Sequence, residues 1–426
     1  MKQIFRILSR TTTVACVDSP YRAPRASERS THSRHVHFTM CLIAACAPKS
    51  PLDTVGSTTG VQDTSLPTTG VAEGPPSSCG PPCEHTWVHQ GNLELGGFQY
   101  DSSNNFACLT HIVGDLTISN LDESQLMGLR NLISIDGSLR IGFSDTLTTV
   151  APFECLQEVT DSLVVSNAVN PTKISAFSSL TTMASFEMYH TGVTELPSLP
   201  AEFAGIQILK LIDNAKLTSL DALTTWRVGS NGIGITIQGN PNLQSVIGLQ
   251  TMLNQANGEV SLTLENLPSL QSLGGLEPMS GVQFLRLRGL PSIENLSPLS
   301  QLRTAYYLQM SAVPLVKNLQ GLSQLEKADT LILGDCWVAD AGFGMDGLIS
   351  LEGLSSLVEV GNLGIGWNAN MTSLTGADKV SNVLNLWTAK GNPKLNDDAI
   401  QEFADQVGQG PCISDACSCS GSLPQF

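Results

Sequence analysis

The stretch ITIQGNPNLQSVIGL, from Ile235 to Leu249, carries one copy of a pattern that recurs through most of the 426-residue chain. Ile235-Thr-Ile237 alternates apolar and polar residues, as a strand with one buried face does. Gly239-Asn-Pro-Asn242 is a turn, and Leu243-Gln-Ser-Val246 is a second apolar cluster. Before this stretch the strand signal appears as Leu93-Glu-Leu95, Leu116-Thr-Ile118, Leu139-Arg-Ile141, Leu163-Val-Val165, Phe186-Glu-Met188 and Leu209-Lys-Leu211. After it come Leu262-Thr-Leu264, Leu285-Arg-Leu287, Leu308-Gln-Met310, Leu331-Ile-Leu333, Leu363-Gly-Ile365 and Trp387-Thr-Ala389. The successive spacings are 23, 23, 24, 23, 23, 26, 27, 23, 23, 23, 32 and 24 residues, a period that marks a repeat array.

The second cluster recurs as Leu217-Thr-Ser-Leu220, Leu270-Gln-Ser-Leu273 and Met371-Thr-Ser-Leu374. A third, of the form Gly-Leu-x-x-Leu, follows in Gly321-Leu-Ser-Gln-Leu325 and Gly353-Leu-Ser-Ser-Leu357. Three apolar clusters per period, separated by Gly, Asn and Pro, imply a coil closing on a central core. Stacked coils make a parallel sheet with a rise of about 4.8 Å, so thirteen would run roughly 60 Å.

With its repeat Gly239-Asn-Pro-Asn-Leu-Gln-Ser-Val-Ile-Gly-Leu249 and the opening Gly391-Asn-Pro-Lys-Leu395, the chain resembles the receptor L-domain family. That family forms leucine-rich-repeat-like right-handed solenoids in growth-factor-receptor ectodomains and bacterial surface lipoproteins. The resemblance spans about residues 88–395 and implies a mainly β, right-handed solenoid of about 13 coils that binds rather than catalyses. An ordinary leucine-rich-repeat horseshoe is the alternative, since Ile206-x-x-Leu209-x-Leu211-x-x-Asn214-x-x-Leu217 fits that pattern. Leu267, Leu290 and Val313 replace the asparagine in other coils, which favours the L-domain type.

Composition agrees with such an array: 41% hydrophobic, 5% aromatic and 14% charged residues mean a core of Leu, Ile and Val. A mean hydropathy of +0.07 excludes a multi-span membrane protein, and the apolar share excludes wholesale disorder. A net charge of −16 argues against nucleic acid, which needs a clustered basic surface.

Residues 1–46 form a separate segment with seven basic residues and two acidic ones. It ends in Phe38-Thr-Met-Cys-Leu-Ile-Ala-Ala-Cys46, where Leu42-Ile-Ala-Ala45 resembles a bacterial lipobox and Cys46 is the implied lipidation site. Its removal takes the net charge from −16 to about −21. Ser, Thr, Pro or Gly fill 20 of the 32 positions from 47 to 78, a disordered tether spanning roughly 30 Å. Residues 79–395 hold the solenoid and 396–426 a helical cap with a Cys-rich tail. In the cap, Asn396 precedes Asp397 and Asp398, with Ile400, Phe403, Ala404 and Val407 at helical spacing and Gly408 as the stop.

The cysteines expected in the mature chain cluster as Cys79, Cys83, Cys108 and as Cys412, Cys417, Cys419, with Cys155 and Cys336 alone in the array. Export makes the clusters disulfide candidates that staple the two caps, with connectivity left open. Cys108 and Cys155 occupy one position two coils apart, about 9–10 Å, which is beyond the roughly 7 Å limit for a mutual bridge.

Chemistry is sparse. Cys79-x3-Cys83-x-His85-x3-His89 lacks a regular zinc spacing, and oxidation on export would consume its thiols. Asp335, Asp340 and Asp346 in the long coil are too far apart for a calcium loop. His111 and His190 have no nucleophile at a recognisable spacing, and Gly-x-Ser-x-Gly, phosphate-loop and HExxH motifs are absent from the sequence. No metal, cofactor or catalytic residue is expected.

The outward strand positions remain. One column includes Glu187, Lys210, Arg286 and Gln309, and the next Tyr189, Ile212, Gln238, Glu265 and Arg288. Tyr189 and Ile212 beside Lys210 have the composition of a hot spot, with Gln238 along the column and Arg286 and Arg288 beside Glu265 as a second candidate or an internal charge pair. The sequence thus points to a non-enzymatic lipoprotein of the bacterial cell envelope, on the outer membrane and exposed at the surface or in the periplasm, held by its lipid anchor alone, with ordinary cleaved secretion as the alternative to lipidation. Its solenoid would recognise a protein or glycan. A structural spacer without a specific ligand and a secreted β-helix polysaccharide hydrolase are the alternatives.

Overall fold

The computed structural model describes residues 79, 83–96, 106–142, 147–170, 174–257, 259–334, 344–388 and 391–408. Two parallel sheets dominate them. The larger contains, in spatial and chain order, β2 (Leu93–Gly96), β4 (Leu116–Ser119), β6 (Leu139–Gly142), β8 (Ser162–Ser166), β9 (Ser185–Tyr189), β10 (Ile208–Ile212) and β11 (Ile233–Gln238). It continues through β12 (Val260–Glu265), β13 (Gly281–Arg288), β14 (Thr304–Ser311), β15 (Lys327–Gly334), β16 (Glu359–Gly366) and β17 (Asn382–Thr388), thirteen strands in all. The smaller sheet joins β1 (Trp87–Gln90), β3 (Leu109–Val113), β5 (Ser134–Ile135) and β7 (Glu158–Val159), also in parallel.

The strand signals align as the period requires. Leu209 pairs with Phe186 on one side and Ile235 on the other, and Leu211 with Met188 and Ile237. These inward residues are buried, so one side chain per coil continues the same apolar column. The last signal is displaced by one residue. Leu386, not Trp387, pairs with Leu363, and Trp387 pairs with Gly364. From β13 onward the first two inward positions are three apart, as Val282 and Leu285 are, before alternation resumes at Leu287. This insertion breaks simple alternation at the start of each of these strands.

Behind the sheet the second and third clusters close each coil. The glycine of the third cluster is a close-approach residue: a Cβ on Gly248 would lie 2.0 Å from the Leu220 carbonyl oxygen of the preceding coil, and one on Gly321 1.9 Å from that of Leu296. The 26-residue coil between Leu209 and Ile235 contributes a large aromatic side chain to the core. Trp226 is fully buried, meets Phe186 edge-on at 5.1 Å and donates its indole N–H to the Pro197 carbonyl at 2.9 Å.

Asparagines cross-link the turns. Asn214 and Asn240 are fully buried; Asn240 Nδ2 donates to the Leu211 carbonyl at 2.8 Å, and its Oδ1 accepts from the Asn214 amide at 3.0 Å. Asn368 and Asn392 repeat this after the last two strands. Where Leu267 and Leu290 stand instead, their backbone amides donate to the carbonyls of Gly289 and Ala312 in the next coil.

Both ends of the described array carry closures. Helix α1 (Glu123–Leu126) and helix α2 (Leu249–Gln255) lie inside the array, whereas α3 (Asp397–Gln406) follows its last strand. Asn396 caps α3 by accepting from the Ala399 amide at 2.7 Å, and Ile400, Phe403, Ala404 and Val407 are buried. Gly408 ends it with φ +70°. At the other end, disulfides join Cys83 to Cys108 and Cys79 to Cys155. Cys155, read from sequence as solitary, is therefore paired, with a cysteine 76 residues earlier; Cys108 and Cys155 take separate partners. Cys46, the tether at 47–78, Cys336, Cys412, Cys417 and Cys419 lie outside the described residues.

Candidate ligand-binding face

In-register pairing makes the outer surface of the large sheet a set of columns. Glu187, Lys210 and Thr236 lie side by side in one; Tyr189, Ile212 and Gln238 in the next. The hot-spot candidates Tyr189, Lys210, Ile212 and Gln238 are thus neighbours on three adjacent strands. A third outward column, not singled out from sequence, runs Ser185, Ile208, Gly234, Ser261, Phe284, Tyr307. Its signal was the residue two positions ahead of the middle of each strand motif.

Glu187 organises the first cluster. Its carboxylate accepts from the Tyr189 hydroxyl and from Ser185 Oγ at 2.8 Å, and Lys210 Nζ lies 3.5 Å away. Burial pushes the Glu187 carboxyl up, but the hydrogen bonds from Tyr189 and Ser185 and the Lys210 charge outweigh it, and the net shift is downward. The Tyr189 hydroxyl is raised above its ordinary value, first by burial and then by the hydrogen bond to Glu187. Tyr189 therefore presents its ring while its hydroxyl is engaged by its own strand. A carboxylate held ionised and a phenol held protonated are suited to fixing side chains in place; neither is tuned toward neutral pH for proton transfer.

Arg286 and Arg288 take different partners. Arg288 Nη1 lies 3.5 Å from Glu265 Oε1, the charge pair expected. Arg286 turns away from Glu265: its Nε donates to Gln309 Oε1 at 3.0 Å, and its guanidinium sits 5.3 Å from the Phe284 ring centroid. Phe284 in turn stacks on Tyr307 at 4.8 Å, whose hydroxyl donates to the same Gln309 oxygen at 3.1 Å. Gln309, expected on an exposed column, is 3% exposed, with Arg286 and Tyr307 both bonded to its side-chain oxygen.

The other sequence candidates resolve simply. Cys79 and Cys83 are both disulfide-bonded, which removes the thiolates a zinc site would need. His190 Nε2 lies 3.3 Å from Asp213 on the surface, and His111 Nδ1 2.9 Å from Thr110 Oγ1. Among the described residues no group of three His, Cys, Asp or Glu is placed to hold a metal. Asp335 and Asp340 lie outside the described residues. No helix among them is long and apolar enough to cross a membrane.

These observations define a class: a leucine-rich parallel-β array, solenoid-like, with disulfides at one end and an ordered outer face. Residues 133–248 match the family model of the receptor L domain, a span that includes Tyr189, Lys210, Ile212 and Gln238 and stops short of Arg286 and Arg288. No curated protein matches the chain. Among solved structures, a leucine-rich-repeat protein of Leptospira interrogans is similar at 15% identity, covering 67% of this chain and 90% of that one, with a TM-score of 0.23.

Proposed function

We propose that this protein is a non-enzymatic binding protein of the bacterial cell envelope, lipid-anchored through Cys46 and raised on the 47–78 tether. Residues 79–395 form its right-handed solenoid of about thirteen coils, the usual hand for parallel crossovers, with 396–426 as cap and tail. The outer face of the large sheet presents Tyr189, Lys210, Ile212 and Gln238 to a protein or glycan, with Arg286 and Arg288 further along. No nucleic acid, metal or cofactor takes part. The observation that carries this reading is the Glu187 network, which holds the Tyr189 ring and the Lys210 charge in place beside half-buried Ile212. Rigid aromatic and basic groups around an aliphatic centre pay little ordering entropy on binding. Disulfides at the N-terminal cap support export.

The test is a capture experiment with envelope extract, comparing the wild-type protein with a Tyr189→Ala, Ile212→Ala double variant. Loss of a specific partner from the variant supports the site, and an unchanged set of partners removes it. Mass spectrometry of the mature N-terminus should show a diacylglyceryl-modified Cys46; an unmodified N-terminus elsewhere would remove the anchor.

A further inference from the structure

A hollow of about 440 Å³ opens on the outer face where β10 to β13 begin, lined by Gln207, Ile208, Asn231, Gly234, Glu259, Ser261 and Gln283, among others. Its size lies within the range of small-molecule sites, about 300–1,000 Å³. Two glycines sit in it for different reasons. Gly232 has φ +83°, and a Cβ there would lie 2.3 Å from the Glu259 carbonyl oxygen, so the backbone demands it. Gly234 has no such constraint: its φ is ordinary for a strand, and a Cβ would meet nothing nearer than the Gln207 oxygen at 3.9 Å. A side chain would fit and would favour the strand, so what the glycine preserves is open space. Glycine within a strand marks a bulge, a bend or a close approach of a ligand or another backbone, and an open hollow above it fits the ligand case.

The lining defines the chemistry of that ligand. Gln207, Asn231 and Gln283 supply amides that donate and accept, Ser261 a hydroxyl, and Glu259 one carboxylate; no Lys or Arg lines the hollow. In a chain of net charge −16 this repels anions and offers nothing to neutralise them. Ile208, 39% exposed, adds an apolar patch to the lining. Tyr306, 53% exposed, stands next to Gln283 by register, since Val282 pairs with Ala305 and Phe284 with Tyr307. Bidentate amides, a carboxylate and a hydroxyl around an apolar patch, with an aromatic ring at the margin, match a neutral pyranose, which has hydroxyl edges and C–H faces.

We propose that this hollow binds a neutral saccharide segment. The inference rests on the reading of the outer face as a recognition surface and narrows it to a ligand class and a second locus beside Tyr189.

Isothermal titration of the full chain with cellohexaose, maltohexaose, mannohexaose and chitohexaose at millimolar concentration tests it, with decalysine as the competing cationic chemistry. At least one hexasaccharide should bind. Gly234→Val, which fills the hollow, should weaken it at least about tenfold while leaving the melting temperature unchanged or raised. Glu259→Ala with Gln283→Ala should weaken it comparably. Lys317→Ala, an exposed change outside both loci, should leave it unchanged. No binding by any of the four sugars, binding of decalysine alone, or saccharide binding that Gly234→Val leaves intact each overturns the proposal. The last result, or loss only in the Tyr189 and Ile212 variant, would keep the face as a recognition surface and discard the hollow.

Discussion

Asn240 and Leu267 solve one problem in two ways. At this turn position each coil must satisfy an inward-facing backbone amide and a strand carbonyl. The asparagine coils do so with a side chain that accepts from Asn214 and donates to Leu211. In the apolar coils the amide meets a turn carbonyl of the next coil directly, as Leu267 meets Gly289. The local backbone is therefore committed to its residue, and Asn240→Leu should not recover the apolar solution. Leaving the Asn214 amide and the Leu211 carbonyl unpaired in a dry core should cost about 2–4 kcal/mol. A lower urea midpoint at unchanged m-value would register it, whereas a loss under about 0.5 kcal/mol would show the two turn forms interconvert. Glu187 makes a second prediction at this scale. Its folded pKa lies below the ordinary 4.5, so its contribution is present above that value and is lost as the pH falls through the folded pKa. Stability measured across that acidic window should fall less steeply for Glu187→Gln than for the wild type; parallel curves would show the network is energetically idle.

At the scale of elements, α3 reads directly from its residues: a capping side chain, two acids in the first turn and an apolar stripe all agree. Asn396→Ala should cost about 1 kcal/mol and show first as faster hydrogen exchange in α3 itself. Exchange rising equally in β2 would mean that the helix is not an independently opening cap. The strands were nearly as legible, because a buried inward pair recurs at a fixed period. The exception is instructive. In β17 both Leu384 and Leu386 are apolar, yet Leu384 is 67% exposed and Leu386 buried, since the three-residue spacing at the start of β13 to β16 carries through to Val383 and Leu386. Alternation alone predicts the wrong phase there, and only pairing with Leu363 corrects it. Disulfide partners were illegible for a similar reason. Cys79 reaches Cys155 across 76 residues, a proximity created by coil stacking and carried by no local spacing.

For the array as a whole, the core was legible and the outer face was not. Inward positions must be apolar in every coil, so they announce themselves; outward positions obey no common rule, and Gln309 beneath Arg286 or the space above Gly234 appears only when neighbouring strands are placed together. The same stacking governs stability. Each strand of the large sheet pairs only with its chain neighbours, so the array behaves as a row of coupled units with closures at its ends. Trp226, the largest fully buried side chain among the described residues, bridges coils through Phe186 and the Pro197 carbonyl, in the middle of that row. Trp226→Ala should cost about 3–5 kcal/mol. A row of coupled units should then open at its centre: amides of β9 to β11 should exchange faster than those of β14 to β16 in native-state hydrogen-exchange mass spectrometry, although in the wild type the central strands should be the slower. An equal loss of protection in all thirteen strands would show instead that the coils unfold as one cooperative unit and that nearest-neighbour coupling is too strong for the ends to act alone.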